Sequence, residues 1–203
     1  MEGWTIKLDP QLLLAENAEI KQQTMNAIAN HLQRVKFIVD KPHVEQLQQL
    51  PIWVELENDK LDNMQYHPDR GWLIAHGHDP RLAKHVHIPV ARQLYARQTW
   101  AKHPYVLLHE LAHAYHDQVL TFDNKEIITV FEKAQSEKIY DKVLDHTGRL
   151  VRHYGIGNHK EYFAESTEAY FGVNDFYPFV RAELKKHDPE MFKVLESVWG
   201  KIR

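Results

Sequence analysis

His109-Glu110-Leu111-Ala112-His113 sets two imidazoles four residues apart with a carboxylate between them, inside an apolar run. On a helix, residues i and i+4 share one face about 6 Å apart along the axis, so both rings can converge on one metal ion. A catalytic zinc takes three protein ligands in tetrahedral geometry and leaves its fourth position to water. His109 and His113 would supply two of them, and Glu110 would lie where it can serve the water as general base. The five-residue pattern alone is only moderately specific. The chain holds 15 His among 203 residues, and a His-rich helix without metal is the plain alternative.

The surroundings weigh against that alternative. Tyr105, Val106, Leu107, Leu108, Leu111, Ala112, Ala114 and Tyr115 flank the motif and Pro104 precedes it, which predicts a buried helix from near His103 to about Gln118. Buried imidazoles and carboxylates need a metal or hydrogen bonds to satisfy them. The third ligand must come from elsewhere, because the position six residues after His113 is Val119. His116 shares the stripe of His109 but lies about 10 Å further along the helix, too far for one tetrahedron; a supporting or surface role is expected for it. Glu161, Glu165 and Glu168 stand at i, i+4 and i+7 among aromatic residues on a second helix. Asn158 three residues before Glu161 also matches a capping arrangement, which would turn Glu161 back toward the backbone and leave Glu165 as the ligand. Spacing leaves both open.

Tyr154-Gly155, Asn158 and Glu161-Tyr162-Phe163-Ala164-Glu165, downstream of the His-Glu-x-x-His block, together resemble the catalytic domain of the anthrax lethal factor family, which includes the Pro-Pro endopeptidases. The resemblance covers roughly residues 100–175. It implies a zincin-like metallopeptidase domain with His109, His113 and Glu161 as ligands of one Zn²⁺, Glu110 as base and Tyr154 as donor to the oxyanion. Glu165, one turn after Glu161, would orient a ligand, the alternative being a solvated acid. The expected activity is that of a gluzincin-type metalloendopeptidase acting on a peptide or protein. Two other readings are a catalytically silent, zinc-stabilised binding domain and an amide hydrolase of small substrates. Retention of both Glu110 and Tyr154 argues against the silent domain, since neither is needed to hold metal.

Elements must bring these residues together. With 43% hydrophobic and 26% charged residues, the 203-residue chain reads as one domain, residues 1–203. A helical pattern runs over residues 10–35, followed by strands at 35–39 and 51–56. Residues 63–90 alternate extended pieces with turns, among them 71–74 and 85–90. The piece 85–90 is a candidate edge for pairing with substrate, with pairing inside the protein the commoner outcome. Helices are expected at 124–144, 158–171, 178–187 and 189–198. The fold class is therefore α+β, a small mixed sheet followed by a mainly helical half with the motif helix between.

Composition excludes several partners. A formal net charge of −3 with scattered cations gives no basic face for nucleic acid. No apolar run approaches the ~18 residues of a membrane span, so no membrane insertion is expected, and Met1-Glu2-Gly3-Trp4 does not read as a signal peptide. The absence of cysteine removes disulfides, thiolate ligands and a cysteine nucleophile, while fitting a reducing or an oxidising compartment alike. The resemblance leans toward a secreted or periplasmic setting. His76-x-His78 and His85-x-His87 are expected at the surface, and residues 174–179 are expected to pack on the sheet or wall a pocket.

Overall fold

Buried positions along Ala18–Ile38 recur at helical spacing (Ile20, Thr24, Ala27, Ile28, His31, Leu32, Val35), and this segment forms the long first helix, α1. The computed structural model describes residues 1–202. Ahead of α1 stand strand β1 (Ile6–Leu8) and two short 3₁₀ turns. The strand expected at 35–39 does not form. Its first four residues complete the last turns of α1, with Val35 buried inward and Phe37 87% exposed. The β preference of Val, Phe and Ile gives way because the helix is already nucleated and Val35 falls on its buried stripe.

After α2 (Lys41–Leu47) come β2 (Ile52–Val54), β3 (Gln65–Tyr66), α3 (Arg70–Ala75) and β4 (Val86–Ile88). The extended piece expected at 71–74 is instead α3, started by the Asp69 side chain accepting from the Trp72 amide. The four strands form one sheet in the order β1-β2-β4-β3, with β1, β2 and β4 parallel and β3 antiparallel to β4. All three residues of β4 are buried, as fits a strand bonded on both edges. That placement removes residues 85–90 as a free edge. β3 is the outermost strand on that side.

The helical half contains α4 (Arg97–Lys102), α5 (Val106–Tyr115), α6 (Lys125–Glu137), α7 (His159–Phe171), α8 (Arg181–His187) and α9 (Pro189–Trp199). The motif helix α5 begins after His103, which ends α4, and stops at Tyr115, where a π turn covers His116–Leu120. α6 is shorter than expected. Lys138 takes a left-handed φ of 56°, and Val143–Leu144 (β5) pairs with Leu150–Val151 (β6) in a two-stranded hairpin. Among the described residues no helix is long and apolar enough to cross a membrane. The architecture is α+β.

Every residue of α5 is buried, and α5 packs directly on α7. The approach to α5 is anchored by Arg34 of α1, whose guanidinium donates twice to the Pro104 carbonyl (3.0 and 2.9 Å) and lies 4.2 Å over the Tyr105 ring. Tyr105 in turn fills the space beside Gly172, just past α7, where an added Cβ would stand 2.2 Å from its ring. On the far side, Trp199 of α9 packs on Tyr115 and donates its indole N–H to Thr167. Asp188 accepts from both Tyr140 and Tyr162. Leu111 points into this core with no exposure, so Leu111→Ala is expected to lower unfolding free energy by roughly 2–5 kcal/mol. A loss below about 1 kcal/mol in denaturant titration would show that α5 is not packed as described.

Candidate metal centre

α5 and α7 bring three donor atoms together. His109 Nε2 and His113 Nε2 lie 3.0 Å apart, and Glu161 Oε2 is 3.3 Å from the first and 3.2 Å from the second. Ligands 2.0–2.1 Å from a tetrahedral zinc stand about 3.3 Å from one another. The triangle therefore has the dimensions of a tetrahedral face, and its two imidazoles and one carboxylate suit zinc. These three residues form one of two groups of potential metal ligands among the described residues; the other is His103, His109 and Glu168.

The local sequence explains why Glu161 is free to face the imidazoles. Asn158 does cap α7, its side chain accepting from the amides of Lys160 and Glu161. Glu161 does not reciprocate; its carboxylate turns toward α5 instead. Half of the predicted capping arrangement thus forms. Glu165, the alternative ligand, has its nearest carboxylate oxygen 3.9 Å from His109 Nδ1. The carboxylate that bonds this nitrogen is Glu168, at 2.7 Å, and the same oxygen accepts from His103 Nε2 at 2.8 Å. The hydrogen bond to His109 Nδ1 is thus made by Glu168 and not by Glu165. The i+7 spacing from Glu161 carried that signal, since a step of seven returns to the same helix stripe.

Electrostatics follow from burial. Burial opposes charge on His109, but hydrogen bonds to Glu161 and Glu168 outweigh it and hold the ring's affinity for protons well above the ordinary range. Burial also works against ionising Glu161, yet His109 and His113 draw its carboxyl well below the usual range. Glu168 is similarly lowered, despite its burial, by His103 and His109. Glu110 and Glu165 lack such bonds. Burial raises both, against the pull of nearby imidazoles.

A cleft of about 1180 Å³ opens over the triangle. His109, Glu110, His113, Tyr154 and Glu161 all line it, so all five expected site residues face one space. Tyr154, in the 3₁₀ turn Tyr154–Gly157 before α7, is 56% exposed. Burial of the rest, followed by the Glu161 charge, pushes its phenol upward, which favours the protonated, donating form. Gln65 and Tyr66 of β3 also line the cleft, as do Asp175 and Phe176, from a segment the sequence left undecided between packing and pocket.

Other histidines lie apart. His116 is fully buried among Phe122, His159 and Phe163, rather than supporting the site or lying at the surface; neither ring nitrogen has a partner among the described residues. Burial, then the neighbouring His159 and His113, brings its pKa down to about 3. His76 and His78 stack on the exposed Trp72. His85 and His87, expected at the surface, are buried because β4 is interior. His87 contacts His67 at 3.1 Å and Glu55 at 3.4 Å.

Comparisons with protein-family models, curated proteins and solved structures find no match, so the arrangement of side chains carries the functional argument.

Zinc-loaded protein is expected to contain one ion per chain, and His109→Ala to lose it, measured by elemental analysis after dialysis. Because metal ligation requires deprotonated imidazole and carboxylate donors, affinity should weaken as pH falls. Full occupancy in His109→Ala would remove His109 from the ligand set.

Proposed function

We propose that this protein is a zinc-dependent metalloendopeptidase with a zincin-like domain, of the gluzincin type and related to the lethal factor and Pro-Pro endopeptidase family. The observation that carries this reading is the zinc-sized triangle of His109, His113 and Glu161 at the floor of a cleft that also receives Glu110 and Tyr154. A metal-only scaffold has no use for a carboxylate and a phenol that face the same space.

His109, His113 and Glu161 would hold the ion, which supplies Lewis acidity toward a water and a scissile carbonyl. Glu110 lines the cleft with no hydrogen-bond partner among the described residues, and would accept the water's proton. Its raised proton affinity suits the second half of the task, delivering that proton to the departing amine nitrogen. Tyr154 holds its hydrogen and would donate it to the oxyanion as the carbonyl carbon becomes tetrahedral.

Cleavage of a peptide library by zinc-loaded protein is the direct test, and no cleavage of any member would overturn the peptidase reading. Glu110→Gln preserves shape but removes the base, so metal content should stay while hydrolysis falls below detection. Hydrolysis at a comparable rate would rule Glu110 out. Tyr154→Phe keeps the ring and loses a hydrogen bond made mainly in the transition state, so kcat should fall by roughly 10²-fold or more with little change in KM. An unchanged kcat in the folded, zinc-loaded variant would reduce Tyr154 to packing.

A further inference from the structure

Helix α7 reaches the same imidazole twice. Glu161 and Glu168 stand seven residues apart, nearly two turns and about 10.5 Å along one stripe. The first presents Oε2 to His109 Nε2 and the second presents Oε1 to His109 Nδ1. His109 is thereby gripped at both nitrogens by one rigid element.

Glu168 is fully buried, with 0% exposure. Such a carboxylate is costly to bury without partners. Among the described residues it has two, both imidazoles and both on Oε1, while Oε2 is buried with none. An ionised carboxylate only accepts, so His109 donates from Nδ1 and His103 from Nε2. With Nδ1 committed to Glu168, Nε2 is the nitrogen that faces Glu161 and His113. His103 sits on the cleft wall at the end of α4, its side chain 19% exposed, and closes the Glu168 carboxylate from that side.

We propose that Glu168 is the positioning residue of the metal centre, with His103 as its second anchor, and that this pair orients His109 so that Nε2 faces the metal. The role rests on the metal-centre reading. It differs from the expectation for Glu165, which approaches His109 Nδ1 only to 3.9 Å. Outer partners of this kind commonly govern metal affinity about 10–100-fold through the ligand they orient.

The test is zinc titration of the full chain against a competing chelator, for the wild type and for Glu168→Gln, Glu165→Gln and His103→Gln. Glu168→Gln should weaken zinc binding by roughly 10–100-fold, His103→Gln should weaken it less, and Glu165→Gln should weaken it least. In proton NMR of the zinc-loaded wild type, a hydrogen-bonded His109 Nδ1–H should appear far downfield and move upfield in Glu168→Gln, whose neutral amide oxygen accepts more weakly; a merely structural carboxylate would move thermal stability without moving that signal. If Glu168→Gln does not fold, His103→Gln decides, because it lies at the partly open cleft wall. Zinc affinity unchanged in every folded variant of the pair, or a loss in Glu165→Gln alone, would overturn the inference while leaving the metal centre intact. A wild type that binds no zinc would instead overturn the metal-centre reading itself.

Discussion

The contact between α5 and α7 sets the terms for the rest of the molecule. α5 is buried on every side, yet it carries two imidazoles and a carboxylate. Polar groups in that position must be answered from within the protein. α7 answers for His109 and His113, with Glu161 at one level and Glu168 two turns away. The remaining helices hold α7 at the distance this requires. Trp199 presses from α9, Asp188 ties down Tyr162, and Gly172 lets Tyr105 approach the end of α7 without a side chain in the way.

The sheet reaches the cleft through one strand. Its three parallel strands place no residue in the lining, and only the short antiparallel β3 does so. The walls over the triangle therefore come from separated stretches of chain: β3, the segment around His103, the turn at Tyr154 and the residues after α7. None is near another in sequence. One of these stretches is tied to α1, whose Arg34 holds the Pro104–Tyr105 approach to α5.

The charges near the centre show a division of labour that distance enforces. Glu161 and Glu168 bond imidazoles and are kept ionised despite burial, whereas Glu110 and Glu165 lack such bonds and are pushed toward their neutral forms. Four carboxyl groups on two helices thus fall into two classes through contacts of a few ångströms. His109 meets a carboxylate at each ring nitrogen, Glu161 at Nε2 and Glu168 at Nδ1.

Some of this was legible in the chain before folding. The four-residue spacing in α5 and the seven-residue span of α7 are local, repeat with the helix period, and place His109 with His113 and Glu161 with Glu168 on shared faces whatever the rest of the protein does. The α+β class was legible for the same reason, from runs of apolar periodicity. What local spacing could not decide was which of several acids on one stripe meets which ring nitrogen, because one turn of helix separates Glu165 from Glu161 and only the crossing of α5 over α7 selects between them. The strand expected at residues 35–39 failed likewise: Val35 and Phe37 favour extended backbone by themselves, and it was the buried face of α1 that kept them helical. The interior position of β4, with buried His85 and His87, was equally beyond reach, since strand order depends on pairings between residues dozens of positions apart. Sequence determined which faces carry chemistry; tertiary packing decided which of those faces touch, because contact energies between distant segments exceed the local preferences that a single stretch of chain can express.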